Sequence, residues 1–100
     1  MKLDLARIER FEWDAGNADK NFEKRGVTRI EAEQVFFNEP LIVSADTAHS
    51  GDESRYHALG RTEIGRRLHV TFALRGSGSL IRVISARSMS RKERERYGKA

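Results

Sequence analysis

RLHVTFALRGSGSLIRVISAR, residues 67–87, contains two alternating runs and a turn, and its reading decides the fold. In 67–75, Leu68, Val70, Phe72 and Leu74 fall on one side of an extended chain; Arg67, His69, Thr71 and Arg75 fall on the other. GSGS then turns the chain into LIRVISAR (80–87), so the two runs pair as antiparallel strands. Pairing Arg75 with Leu80 sets Ala73 opposite Arg82, Phe72 opposite Val83 and Thr71 opposite Ile84. Arg82 thereby joins the polar side, diagonal to Arg75, while Arg87 falls on the apolar side. A slip of one residue would invert these assignments.

Upstream, YHALGR (56–61) is a third strand, joined through TEIG. With Arg61 opposite Arg66, Tyr56 stands opposite Thr71 on the polar side. LIVSAD (41–46) is a fourth strand, followed by a polar loop around AHSGDES. Before the meander, IERFEW (8–13) alternates well enough for a strand. Asp14 is suited to cap a helix over about 15–24 that ends at Gly26. Thr28 and Glu31 form a capping box for a second helix, about 29–37, whose Ala32, Val35 and Phe36 make an apolar stripe and which Pro40 stops. Ser90 and Glu93 form another capping box that opens a short, highly charged terminal helix. That helix is too short to stand alone and needs a docking surface on the sheet or a partner. The expected architecture is α+β: an N-terminal strand, two helices, an antiparallel β-meander and a short C-terminal helix.

The chain has 100 residues, enough for one domain spanning 1–100 and no second one. A hydrophobic fraction of 38% supports a core, and 34% charged residues make the surface ionic. Cysteine is absent, which excludes disulfides and thiolate metal sites. No His, Asp or Glu cluster has metal spacing and no nucleophile elbow follows a strand, so no cofactor, metal or Ser-His-Asp hydrolase is expected. With neither a signal-peptide core nor an apolar run of membrane-spanning length, a cytoplasmic protein with no membrane partner is expected.

Charge is divided unevenly. Residues 1–54 hold seven Lys or Arg against twelve Asp or Glu; residues 55–100 hold twelve against three. Of the 19 cations, 14 are arginine, which grips phosphate or carboxylate through paired hydrogen bonds. This favours a polyanion partner, nucleic acid before an acidic protein, over a merely solvated basic surface. One sheet face gathers Arg67, His69, Arg75, Arg82 and Tyr56. Its like charges call for a shared anion, or else for acidic residues of the same chain. On the first helix Asn17, Lys20, Asn21 and Lys24 form a polar stripe opposite Ala15, Ala18 and Phe22; it either approaches the polyanion or faces solvent.

FEWD (11–14), Asn21, KRGV (24–27), VFFNEP (35–40), HSGDESR (49–55), LGR (59–61), GR (65–66), LR (74–75), IRVISAR (81–87) and KERERY (92–97) together resemble the BrnT toxin family, in one order across residues 11–97. Two positions depart from its pattern: Arg25 stands where the family usually has histidine, and Asn17 where it usually has lysine. The resemblance implies a RelE-like fold and the toxin half of a bacterial type II toxin–antitoxin pair, a small ribonuclease that slows translation. It implies a BrnA-type antitoxin that binds promoter DNA in complex with the toxin; a homodimer or a toxin–antitoxin heterotetramer is compatible with it.

On that reading the RNA's 2′-hydroxyl attacks the adjacent phosphate, and arginines stabilise the charge that builds on the phosphoryl oxygens. Arg75 and Arg82 are the first candidates for this clamp, with Arg87 added by family position. Glu53 and His49, from HSGDESR, are candidates for base and acid, although a loop salt bridge between Glu53 and Arg55 is an equal alternative. Lys24 and Tyr97 are candidate proton donors or phosphate ligands, and Arg55, Arg66, Arg67, His69 and Tyr56 candidate RNA contacts. A protein that binds RNA or its antitoxin without cutting is the alternative function.

Overall fold

A computed structural model describes residues 3–48 and 53–100. Five strands form one sheet: β1 (Arg10–Trp13), β2 (Ile42–Asp46), β3 (Arg55–Arg61), β4 (Arg67–Arg75) and β5 (Leu80–Ser88). They lie in the order β1-β5-β4-β3-β2, antiparallel except for the parallel β1–β5 pair. Helices α1 (Asn17–Arg25) and α2 (Arg29–Gln34) follow β1, α2 running on into a 3₁₀ turn at Val35–Phe37, and α3 (Arg91–Tyr97) follows β5. The fold is therefore α+β with a mixed sheet. Among the described residues no helix is long and apolar enough to cross a membrane.

Alternation sorts the sheet into two faces. Val43, Ala58, Leu68, Val70, Phe72, Ile81, Val83 and Ala86 pack with Val27, Ala32, Val35 and Phe36 from the helical layer. Phe36 meets Phe72 edge-on, with ring centroids 5.1 Å apart, and each such buried large side chain is worth about 1.5–3 kcal/mol. The layers approach closely at β3: a Cβ added at Gly60 would lie 2.9 Å from the Val35 Cβ. On the other face, α3 covers a smaller cluster of Leu59, Met89 and Tyr97, with Ile42 against it.

Both capping boxes form: the Thr28 and Ser90 side chains accept from the backbone N–H of Glu31 and Glu93, whose carboxylates return to the cap N–H groups. Arg75 pairs with Leu80, Ala73 with Arg82 and Phe72 with Val83. The GSGS turn is built from successive positive φ angles, 58° at Gly76, 59° at Ser77 and 91° at Gly78.

Three expectations are overturned. First, Asp14 does not cap α1. Gly16 occupies that position at φ 77° with no side-chain bond, because the Asp14 carboxylate is drawn to Arg82. Second, the α1 faces are reversed: Asn21 is buried and Phe22 is 53% exposed. β1 leaves its neighbour after Trp13 pairs with Val83, opening the β5 edge, and α1 satisfies that edge with side-chain amides. The Asn17 Nδ2 donates to the carbonyls of Val83 (3.3 Å) and Ile84 (3.0 Å); the Asn21 Oδ1 accepts from the Ala86 N–H at 2.9 Å. Third, the register departs from uniform pairing twice. Thr62 and Arg66 close the β3–β4 turn, so Arg61 faces Arg67, Tyr56 faces Phe72 and His57 faces Thr71. In β5 a bulge between Val83 and Ser85 sets Thr71 opposite Ser85, not Ile84.

The inverted helix gives a measurable contrast. Asn21→Ala strands the buried Ala86 N–H and is expected to cost about 1–3 kcal/mol in urea denaturation. Phe22→Ala is expected to change stability by less than about 0.5 kcal/mol apart from helix propensity, and a larger loss there would contradict the packing described.

Candidate active site

The bulge assembles the polar face of the sheet. Beyond it, Ala86 faces the core opposite Val70, so Arg87 stands opposite His69 on the same side as Arg82 and Arg75. Tyr56 moves the other way, stacking on Phe72 at 5.6 Å between centroids inside the helix-covered face. Successive cross-strand rows on the open face read Leu59–His69–Arg87, His57–Thr71–Ser85 and Arg55–Ala73–Arg82. Arg75 lies beyond them. Thr71, Ala73 and Ser85 are short, so the floor between the arginines is low.

Carboxylates of the same chain hold the arginines. The Glu53 carboxylate bridges two of them: Oε2 accepts from the Arg75 Nε at 2.6 Å and Oε1 from an Arg82 terminal nitrogen at 3.2 Å. Arg75 also reaches Glu12 at 3.4 Å, and Arg82 also donates to Asp14. Hydrogen bonding to Asp14, reinforced by the charges of Asp14, Glu53 and Glu12, raises the Arg82 pKa further. The Arg82 Nε is buried and has no hydrogen-bond partner among the described residues. Glu12 and Asp14 reach the site because FEWD alternates: Phe11 and Trp13 turn to the core, and the intervening acids turn outward.

A second cluster adjoins the first. Arg87 meets Glu93 fork to fork at 2.8 and 3.0 Å, tying α3 to the sheet. This pairing and the Ser90 N–H bring the Glu93 pKa down to about 2. His69 lies 4.0 Å from Glu93, but burial and the nearby Arg87 charge lower its pKa to about 4, so at neutral pH this contact is no ion pair. The His69 ring stacks on His57 at 4.8 Å. His57 is braced at both nitrogens, by Asp46 at 2.9 Å and the Thr71 hydroxyl at 3.1 Å.

Arg75, Arg82 and Glu53 are thus brought together, with Arg87, His69 and Arg55 on the same face. Other expected site residues lie elsewhere. Arg66 clasps the helical layer, donating to the Gly26 carbonyl at 2.9 Å and to Glu31 at 3.0 Å. The Tyr97 hydroxyl donates to the Pro40 carbonyl at 2.6 Å, and burial raises its pKa; it anchors α3. Lys24 is exposed in the last turn of α1 and shares no hydrogen bond or ion pair with the arginines. Arg67 faces Arg61 at the far end of the open face. His49 lies outside the described residues. The sequence reading missed the engagement of His57 with Asp46 because its β3–β4 pairing was one residue out; the small Ala58 and Gly60 on the opposite face are the signal that could have placed it.

Both large shifts weaken the fold in acid. The folded pKa of His69, about 4, lies below its ordinary 6.5, so the unfolded chain protonates first and stability falls as pH drops between them. Glu93, about 2 against 4.5, extends the loss through that lower window. Each contributes on the order of 3 kcal/mol in full. Urea midpoints against pH should lose much of the slope between 6.5 and 4 in His69→Gln; an unchanged slope would assign the proton uptake to another group.

Comparison with known proteins adds to this geometry. The family model described as "Ribonuclease toxin, BrnT, of type II toxin-antitoxin system" matches residues 13–93. The fold is similar to the crystal structure of the Brucella abortus ribonuclease toxin, BrnT, with a TM-score of 0.64 at 24% identity, covering 82% of this chain and 97% of that one. No curated protein matches. With four-fifths of its length matched, from the end of β1 into α3, the chain belongs to the BrnT family of ribonuclease toxins of type II toxin–antitoxin systems.

Proposed function

We propose that this toxin is a metal-independent, RelE-like endoribonuclease that inhibits translation by cutting RNA and is neutralised by a BrnA-type antitoxin. The observation that carries the reading is the convergence of Arg75, Arg82 and Arg87 with Glu53 on one face above the short side chains of Thr71, Ala73 and Ser85.

The chemistry needs three contributions. The 2′-oxygen attacks phosphorus, the bond to the 5′-oxygen breaks, and the products are a 2′,3′-cyclic phosphate and a 5′-hydroxyl. Extra negative charge gathers on the phosphoryl oxygens in the transition state, where Arg75 and Arg82 stabilise it more than the ground state. Their present partners are exchangeable: Asp14 is 58% exposed, and the buried Arg82 Nε–H still has a bond to give. As phosphate oxygens take over the guanidinium groups, the Glu53 carboxylate is released from them and becomes the base that accepts the 2′-hydroxyl proton. The leaving 5′-oxygen needs a proton. His57, held by Asp46 through Nε2, is the donor on this face once its Nδ1–H turns from the Thr71 hydroxyl to the leaving oxygen, and His49, from the segment before Glu53, is the second candidate.

The alternative, a module that binds RNA or antitoxin without cutting, draws support from the pairing of Arg75, Arg82 and Arg87 with carboxylates of the same chain. Purified protein decides between them. Wild type is expected to cut RNA in the presence of EDTA and leave cyclic phosphate ends, with Arg82→Ala slower by about 10²–10³-fold and still folded by circular dichroism. Intact RNA with wild type sinks the enzyme reading, and equal rates in both proteins sink the role of Arg82. Glu53→Gln is expected to slow cleavage about 10²-fold or more.

A further inference from the structure

The arginine clamp is not where the positive charge of this surface lies. Glu12, Asp14 and Glu53 are interleaved with Arg75 and Arg82, so these five side chains sum to −1. A polyanion gains no long-range attraction from that group. The opposite holds on α3 and the turn after it, where Arg91 pairs with Glu95 and Glu93 with Arg87, while Lys92, Arg96 and Lys99 have no carboxylate within ion-pair distance among the described residues.

The way α3 crosses the sheet aims these three. The helix starts beside β5, where Arg87 grips Glu93, and ends where the Tyr97 hydroxyl reaches the Pro40 carbonyl ahead of β2. Glu93 and Tyr97, four residues apart, are its underside. Arg94 fixes one flank at the strand ends, donating to the Met89 carbonyl at 2.9 Å, and the charges of Arg61 and Arg67 at the same end act on Tyr97. Lys92 and Arg96 precede the two underside residues and so lie on the other flank, and Lys99 follows in the turn after the helix, its N–H bonded to the Arg96 carbonyl. That flank looks along the strands, over His57 and Thr71, toward Arg55 and Arg82.

We propose that Lys92, Arg96 and Lys99 form a second phosphate-binding site, a cationic wall that draws single-stranded RNA onto the face and holds the phosphates next to the one being cut. The inference rests on the ribonuclease reading. It divides the work: the wall supplies attraction, and the internally neutralised clamp supplies stabilisation once the scissile phosphate displaces its carboxylates.

The test uses full-length protein, a short 2′-O-methyl RNA that cannot be cut, and fluorescence anisotropy from 50 to about 300 mM KCl. Lys92→Ala with Arg96→Ala and Lys99→Ala is expected to lower the slope of log affinity against log salt by about 2, as loss of three single-strand phosphate contacts requires. Its cleavage of ordinary RNA should be weakened chiefly in KM and be recovered at high RNA concentration. Changing Lys92 and Lys99 to Arg, which keeps the charge, is expected to retain the wild-type slope, and Arg91→Ala, on the paired outer face, to shift it by less than one contact's worth. A wild-type slope in the triple variant while wild type still cuts RNA overturns the wall and spares the ribonuclease reading, whatever happens to antitoxin binding. Loss of cleavage in kcat alone at an unchanged slope also overturns it. If wild type neither binds nor cuts RNA, both readings fall together.

Discussion

One extra residue in β5 governs which side chains share the open face. Uniform pairing from Leu80 would send Arg82 to one face and Arg87 to the other, splitting the arginines across the sheet. The bulge beside Ile84 restores Ala86 to the core and Arg87 to the open face within the same strand. Alongside it the β5 edge is bare, because β1 pairs no further than Val83. The Asn17 amide covers that edge, reaching Val83 and Ile84 together, and Asn21 continues the edge at Ala86. Much of the geometry follows from this: α1 is fixed against β5, β1 can end at Trp13, and Asp14 emerges beside Arg82.

The second organising feature is self-neutralisation. An array of guanidinium groups on adjacent strands repels itself, yet Glu53, Glu12, Asp14 and Glu93 thread between them. The arginines are therefore pre-aimed in the resting protein, which lowers the ordering cost of meeting a phosphate. On the proposed function, the same carboxylates are what an RNA phosphate would have to displace. Their exposure differs in a useful way, with Asp14 open to solvent and Glu93 held by its helix cap as well as by Arg87. The Arg82–Asp14 pair is thus open to solvent, while the Arg87–Glu93 pair is part of the α3 cap.

Most local structure was legible because it depends on neighbours in sequence. The two capping boxes are four-residue patterns, the GSGS turn is dictated by φ, and the β4 alternation has no interruption. Tertiary choices were harder to read. Nothing within AGNADKNF announces that asparagines, not Phe22, face the fold, since that depends on where β1 stops. The bulge did leave a trace: Val83 and Ile84 are successive apolar residues, after which Ser85, Ala86 and Arg87 alternate in a new phase. The acids of FEWD could be read the same way once Phe11 and Trp13 are assigned to the core. Glu53 and Arg82, 29 residues apart, could be joined only by the resemblance or by coordinates.

A sheet organised around such a bulge has an unusual evolutionary property. Gaining or losing a single codon in the middle of β5 would exchange the faces of every residue on one side of the change, while the strand could still hydrogen-bond to β4. Most substitutions alter one side chain at a time; this position can rewrite an entire half-strand of surface chemistry in one step. The asparagine pair on the β5 edge, by holding Val83, Ile84 and Ala86, keeps the strand in the phase that gathers these arginines.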